Sequence, residues 1–199
     1  MSSSDSHATA ARPTVLVAPG FGDSGPDHWQ TIWQKRHGYI RVEQSDWNRP
    51  ERAAWVECLA RAVRAAAPGP VVIVAHSLAC AMVAHFAGAN PTSPVAGALL
   101  VAPADVDSEM HTPDEVRNFA PLPLERLPFP SIVVASRTDP YVRFKRAEEI
   151  ASMWGARFVD AGRAGHINPD SGFGEWPEGY RLLEELLTDA VGANVGAPR

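Results

Sequence analysis

The stretch that decides the fold runs from Val71 to Cys80 and reads VVIVAHSLAC. Its first four residues are apolar and β-branched, which is typical of a strand buried on both faces. A serine follows closely, with an alanine two positions before it and another two positions after it. This spacing predicts a nucleophile elbow, the sharp turn from a strand into a helix that lifts one side chain out of the sheet. Ser77 is the candidate nucleophile.

Short apolar runs recur on both sides of this stretch and alternate with segments of helical periodicity. In the helical segments the apolar residues lie three or four positions apart, as on one face of a helix. The alternation predicts a single-domain α/β fold with about six strands, mostly parallel, and helices on both faces of the sheet. The other five strands are predicted at 14–18, 39–43, 97–102, 131–135 and 156–160.

Length and composition favour one domain. The chain has 199 residues, 45% of them hydrophobic, which is enough to bury a single core. We expect the domain to span residues 13–190, between disordered tails at 1–12 and 191–199 that are rich in polar or small residues. The segment between the fourth and fifth strands is too short for a large cap domain.

Charge and composition exclude several classes of partner. The net charge is −5 without a basic stripe, so nucleic acid is not an expected partner. No stretch approaches the roughly 20 apolar residues of a membrane span, and the first residues lack the pattern of a secretory signal. Cys58 and Cys80 lie in apolar helical patterns and are expected to be buried free thiols. These features predict a cytoplasmic protein, and nothing in the sequence indicates a protein partner.

Two further polar residues follow predicted strands after Ser77. Asp139 lies in SRTDPYV, after the fifth strand, and His166 lies in DAGRAGHIN, after the sixth. Because the carboxyl ends of parallel strands meet at one edge of a sheet, these side chains are expected to converge. A serine hydroxyl needs an imidazole to take its proton, and the imidazole needs a carboxylate to orient it. The order Ser, Asp, His along the chain is that of the α/β-hydrolases.

The glycine-rich loop after the first strand reads PGFGDSG and covers residues 19–25. Such a loop lets backbone N–H groups face a cavity. We expect the N–H groups of Phe21 and Leu78 to form an oxyanion hole, which stabilises negative charge that develops on a substrate oxygen. The loop has neither GxGxxG nor GxxxxGK[ST], which disfavours nucleotide binding.

Other residues near the predicted site leave alternatives open. His28 and His76 are candidates to bind substrate, although a histidine next to the nucleophile points away from it, which disfavours His76 as the base. Asp105, after the fourth strand, is a candidate for substrate binding and the alternative to Asp139 as the acid. Trp47 follows the second strand and is either a wall of the substrate pocket or a cap on the core.

Four segments resemble the motifs of a known family. PGFGDSGPDHWQ, AHSLAC, SRTDPYV and DAGRAGHIN, in this order, are similar to the small lidless α/β-hydrolases that include the retinoblastoma-binding serine hydrolase and many bacterial homologues. The resemblance covers residues 13 to 187 and implies esterase or amidase chemistry on small substrates. It implies that Ser77 is the nucleophile, Asp139 the acid and His166 the base. The departures from the family pattern are the alanines at positions 75 and 79, where glycines usually stand.

The sequence therefore predicts a serine hydrolase that cleaves a small ester, thioester or amide through an acyl-enzyme on Ser77. No metal or cofactor is expected, because HEXXH and paired CxxC patterns are absent. The alternative, from a different class, is a protein-binding module that keeps the fold while the hydrolase site is idle or vestigial.

Overall fold

A computed structural model describes residues 12–195, in which strands and helices alternate along the chain. The strands are β1 (Thr14–Ala18), β2 (Ile40–Arg41), β3 (Val71–His76), β4 (Val95–Val101), β5 (Ser131–Ala135) and β6 (Arg157–Asp160). The helices are α1 (Trp29–His37), α2 (Arg52–Ala66), α3 (Leu78–Ala89), α4 (Phe144–Trp154) and α5 (Pro177–Val195). The predicted succession of strands and helices is confirmed.

The six strands form one sheet in the order β2-β1-β3-β4-β5-β6, and every neighbouring pair is parallel. From β1 the chain crosses outward to β2, whereas from β3 it crosses the other way to β4. The connections that leave β1 and β3 therefore diverge, and a crevice opens between them at the carboxyl edge of the sheet, where α/β proteins bind ligands.

Strand β3 lies at the centre of the sheet and divides its side chains between two cores. Val71, Ile73 and Ala75 pack on the face that carries α2, α3 and α4. Val72 and Val74 pack on the opposite face, with α1 and α5. Successive side chains of a strand point to opposite faces, so an unbroken apolar run suits a strand with helices on both sides.

Several predicted boundaries differ from the structure by one or more residues, among them those of β2, β4 and the last helix. Strand β2 has only two residues, because it is an edge strand that pairs with β1 alone and has an exposed side chain at Ile40. Helix α5 continues to Val195, so residues 191–195, predicted as the start of a tail, extend the last helix. The rest of the predicted tails, 1–11 and 196–199, lies outside the described residues.

The connection from β4 to β5 borders the crevice. Its regular structure is one short 3₁₀ helix at Asp114–Phe119, which buries Val116 and Phe119. Both cysteines are buried free thiols, as predicted. No helix within residues 12–195 is long and apolar enough to cross a membrane.

Candidate active site

Ser77 has the strained backbone conformation of a nucleophile elbow. Its φ of 57° and ψ of −122° are unusual for a residue with a side chain. Two hydrogen bonds fix the turn: the Ser77 N–H donates to the Val101 carbonyl (2.9 Å), and the Cys80 N–H donates to the Ser77 carbonyl (3.0 Å). Ala75 and Ala79 are completely buried beside the turn. Alanine is thus small enough for this strand-to-helix turn.

The side chains of Ser77, His166 and Asp139 form one hydrogen-bonded chain. His166 Nε2 lies 2.9 Å from Ser77 Oγ, and His166 Nδ1 lies 2.9 Å from Asp139 Oδ2 and 3.0 Å from Oδ1. A carboxylate only accepts hydrogen bonds, so the partner assigns the imidazole proton to Nδ1 and leaves Nε2 free to accept from the serine hydroxyl. Asp139 Oδ1 also accepts from the Tyr141 N–H at 2.9 Å.

The loop that carries His166 is anchored to the loop that carries Asp139. Ser136 Oγ accepts a hydrogen bond from the Ala164 N–H at 2.9 Å, and Thr138 Oγ1 accepts from the Gly165 N–H at 3.1 Å. Sequence reasoning missed these two anchors. The only signal for them was that hydroxyl side chains follow β5 directly, in the same segment as the candidate acid.

The loop after β1 lies directly against the elbow. A Cβ atom on Gly20 would lie 2.9 Å from the carbonyl oxygen of His76 and 2.9 Å from Ser77 Cβ, so only glycine permits this approach. Leu78 is the first residue of α3, and its N–H has no intrahelical acceptor. Within residues 12–195 neither this N–H nor that of Phe21 donates a hydrogen bond. Both predicted oxyanion donors are therefore without a hydrogen-bond acceptor in this part of the chain: Leu78 directly follows Ser77, and Phe21 directly follows Gly20, which lies against Ser77.

A cavity of about 320 Å³ opens at Ser77. Its apolar lining includes Phe21, Leu78 and Val116, and its polar lining includes His28 and Asn168. The volume is at the lower end of the range for ligand pockets, which suits a small substrate.

His76 lines the cavity and holds the loop of the candidate base. Its Nε2 lies 2.9 Å from the carbonyl oxygen of His166, so Nε2 carries the proton and donates. Burial lowers the pKa of His76 well below its ordinary value, and repulsion from His166 and His28 in their protonated forms lowers it further. His76 is therefore neutral and hydrogen-bonded to backbone, consistent with the expectation that it is not the base.

His28 lines the same cavity and caps the start of α1. Its Nδ1 accepts a hydrogen bond from the Gln30 N–H at 3.2 Å. Burial lowers the pKa of His28 to about 3, with smaller contributions from the charges of His166 and Arg41. The ring is therefore neutral near pH 7.

Trp47 is not among the residues that line the cavity. Of the two alternatives predicted for it, a pocket wall or a cap on the core, the structure agrees with the cap. Its ring packs edge-on against Trp55, with centroids 5.7 Å apart, and joins the core beneath α2. The Trp47 carbonyl accepts a hydrogen bond from the Gly22 N–H at 2.9 Å. Trp47 thus contacts the loop after β1 through its backbone, while its side chain turns to the core.

Asp105 is likewise not part of the cavity lining. Its carboxylate pairs with Arg146, whose Nε lies 3.5 Å from Asp105 Oδ1 and which also binds Asp107 at 3.0 Å. Within the described part of the chain, the carboxylate that is hydrogen-bonded to His166 is that of Asp139. The alternative placement of the acid after β4 does not fit this structure.

Comparison with solved structures identifies similar proteins. A YdeN-like hydrolase from Pectobacterium atrosepticum is 31% identical, with 90% of this chain and 92% of that chain covered and a TM-score of 0.79. The ydeN gene product of Bacillus subtilis is 19% identical (88% and 99% covered, TM-score 0.70). Esterase 2 of Thermogutta terrifontis, phosphonylated by cyclosarin, is 17% identical (98% and 88% covered, TM-score 0.66) and shares the fold. No curated protein matches the chain.

The family comparison covers most of the described chain. The sequence model of a family described as serine hydrolase matches residues 15–185. This match and the YdeN-like hydrolases confirm the resemblance to small α/β serine hydrolases, while the likeness to the retinoblastoma-binding member stays a prediction. The elbow, the all-parallel sheet and the matched residues lead to one conclusion: the chain belongs to the serine hydrolase family.

Proposed function

We propose that the protein hydrolyses small esters, thioesters or amides through an acyl-enzyme on Ser77, with His166 as the base and Asp139 as the acid. The observation that carries the proposal is the hydrogen-bonded chain from Ser77 Oγ through His166 to Asp139 at the wall of the cavity. Such a chain supplies both a nucleophile and the base that activates it.

In the first step Ser77 Oγ forms a bond to the carbonyl carbon of the substrate, and its proton passes to His166 Nε2. The carbonyl oxygen becomes an oxyanion, which the N–H groups of Phe21 and Leu78 stabilise. Losing one such donor typically costs about 2.7–4 kcal/mol of transition-state stabilisation. The Leu78 donor also lies at the N-terminus of α3, where the helix dipole favours negative charge.

Collapse of this intermediate completes acylation. The bond to the leaving group breaks, and the leaving oxygen, sulfur or nitrogen takes the proton from His166 Nε2, which leaves an ester on Ser77. A water molecule then attacks the ester and gives its proton to the same nitrogen. Release of the acid returns the proton to Ser77 Oγ. Throughout, the Asp139 carboxylate orients the ring and stabilises its protonated form.

The cavity supports small substrates. Its volume of about 320 Å³ holds a short acyl group, and the segment between β4 and β5 adds only one short helix beside it. Two solved structures with the same fold are described as a thioesterase and an esterase, at 16% and 17% identity. Ester, thioester and amide substrates of matched acyl length therefore form the assay panel.

Labelling with a fluorophosphonate probe tests the nucleophile. The tetrahedral phosphonyl group mimics the oxyanion intermediate and reacts fastest with an activated serine hydroxyl. We expect the native protein to be labelled and Ser77→Ala to be unlabelled. Ser152→Ala, which alters an exposed serine on α4, is the matched control and should be labelled like the native protein. Equal labelling of native protein and Ser77→Ala, or labelling of neither, would overturn the assignment.

A further inference from the structure

An exposed aromatic ring packs on the candidate base. The ring centroids of Tyr141 and His166 lie 4.5 Å apart, and the ring planes are inclined by 61°. Tyr141 lines the cavity and is 39% exposed, so part of its side chain is open to a ligand. Aromatic side chains are typical walls of ligand pockets. The contact with His166 therefore indicates which part of a substrate this ring meets.

The backbone of Tyr141 is held at both of its polar groups. Its N–H donates to Asp139 Oδ1 at 2.9 Å, and its carbonyl accepts from the Asp105 N–H at 3.0 Å. The first bond ties the residue to the candidate acid, and the second ties it to the loop after β4. The backbone of residue 141 is therefore fixed before a ligand binds, which lowers the entropic cost of binding.

The chemistry of the base assigns the leaving group to the side of Tyr141. His166 Nε2 gives its proton to the leaving atom, which must then lie within hydrogen-bond distance of that nitrogen. Within residues 12–195, the aromatic rings that pack on His166 are those of His76 and Tyr141, at 4.7 and 4.5 Å. His76 is only 5% exposed. A group bonded to the leaving atom can therefore cover Tyr141, whereas His76 offers almost no surface to it.

A second half-exposed ring, that of Phe21, lines the same cavity. Phe21 lies in the loop after β1 and Tyr141 in the segment after β5, on opposite sides of β3 in the order of the sheet. Of these two rings, the one that packs on His166 in the described chain is that of Tyr141. The two rings therefore border different parts of a substrate.

The ring of Tyr141 favours an aromatic partner. Two aromatic rings attract each other at centroid distances of about 4.5–7 Å, beyond the gain from apolar burial. Resting on the function proposed above, we infer that the Tyr141 ring binds the leaving group, so that the site prefers esters whose leaving alcohol carries an aromatic ring close to the scissile oxygen. Tyr141 is then a specificity-determining residue two positions after the acid.

The competing role for this ring is to hold His166 in place. Such a role acts on every substrate alike, because each substrate needs the same imidazole. A leaving-group site instead distinguishes between substrates that share an acyl group. Replacing the side chain of Tyr141 removes neither backbone hydrogen bond, so substitutions at this position compare the two roles.

The test compares benzyl acetate with cyclohexylmethyl acetate, which share the acyl group and carry a six-membered ring at the same distance from the ester oxygen. Each kcat/KM is divided by the rate constant for hydroxide hydrolysis of the same ester. We expect the native protein to prefer benzyl acetate. Tyr141→Ala should lower that preference about 5-fold, because one aromatic contact is lost. Tyr141→Phe keeps the ring and should retain the preference, and in Phe21→Leu any change should be equal for the two esters.

The inference is overturned if the native protein has no preference, or if Tyr141→Ala lowers kcat/KM equally for both esters, which is the pattern of a residue that positions His166. A loss of preference in Tyr141→Phe as large as in Tyr141→Ala would also contradict it, since the ring is then not the binding group. Fluorophosphonate labelling of the native protein separates the two proposals. If Ser77 is labelled and the preference does not depend on Tyr141, only the role of Tyr141 fails; if Ser77 is unlabelled, the proposed function fails and this inference with it.

Discussion

Gly20 and Ser77 are in contact where the loop after β1 meets the elbow, and a Cβ atom on Gly20 would lie 2.9 Å from Ser77 Cβ. The substitution Gly20→Ala should therefore displace the loop and move the Phe21 N–H away from the oxyanion. We expect kcat to fall about 100- to 1,000-fold, the effect of losing one oxyanion donor.

Gly25→Ala is the matched control for this prediction, to be measured in the same ester assay. Gly25 also lines the cavity, but a Cβ there would meet no atom within 4 Å. It should keep kcat close to the native value. A native-like kcat for Gly20→Ala would show that the approach of the loop to the elbow is unimportant for the reaction.

The acid is tested by comparing Asp139→Asn with Asp105→Asn. An asparagine at 139 no longer fixes the proton of His166 on Nδ1, so kcat should fall by about 10⁴-fold. Asp105 binds Arg146 and not His166, so its replacement should change kcat far less. Steady-state kinetics with one ester measure both variants. A larger fall in kcat for Asp105→Asn than for Asp139→Asn would assign the acid to the loop after β4.

The two buried histidines predict a pH dependence of stability. Burial lowers the pKa of His28 from 6.5 to about 3 and that of His76 well below 6.5, so between these values the unfolded chain binds more protons than the folded chain. Their contribution to the free energy of unfolding should be fully present above about pH 6.5 and should decrease as the pH falls towards 3.

Urea unfolding at pH 7.5 and pH 5.0 measures this effect. The loss of unfolding free energy between the two values should be smaller in His28→Asn than in the native protein, because one of the two groups is removed. An equal loss in both proteins would contradict the assignment of a buried, neutral His28.

Trp47 should affect stability and not substrate binding. Its indole packs on Trp55 away from the cavity, so Trp47→Ala should lower the free energy of unfolding by about 2 kcal/mol, less than for a fully buried tryptophan. KM for a short ester should stay near the native value. A several-fold rise in KM with an unchanged free energy of unfolding would show that Trp47 forms part of the substrate pocket.

The parts of the site that the sequence predicted are those that local pattern and chain order determine. An apolar run followed by Ser77 defines the elbow, and the rule that parallel strands share a carboxyl edge brings Asp139 and His166 to the same place. The approach of the loop after β1 followed from its glycines. None of these inferences needed the direction of an individual side chain.

What the sequence did not determine depends on side-chain directions set by packing. Trp47 and Asp105 also follow strands, but one turns to the core and the other to Arg146. Ser136 is one of several hydroxyl residues near the strand ends, and only the fold brings it to the loop of His166. The packing of Tyr141 on His166 is visible only once the fold brings their two loops together.

The central claim is that Ser77 becomes acylated during turnover. The most direct test is rapid quenching of the native protein with p-nitrophenyl acetate, followed by intact-mass analysis and peptide mapping. We predict one acetyl group per chain on the peptide that contains Ser77, formed with a burst of p-nitrophenol, and no acetylation of that peptide in Ser77→Ala. Turnover of Ser77→Ala at the native rate, or acetylation of the same peptide in Ser77→Ala, would contradict the account.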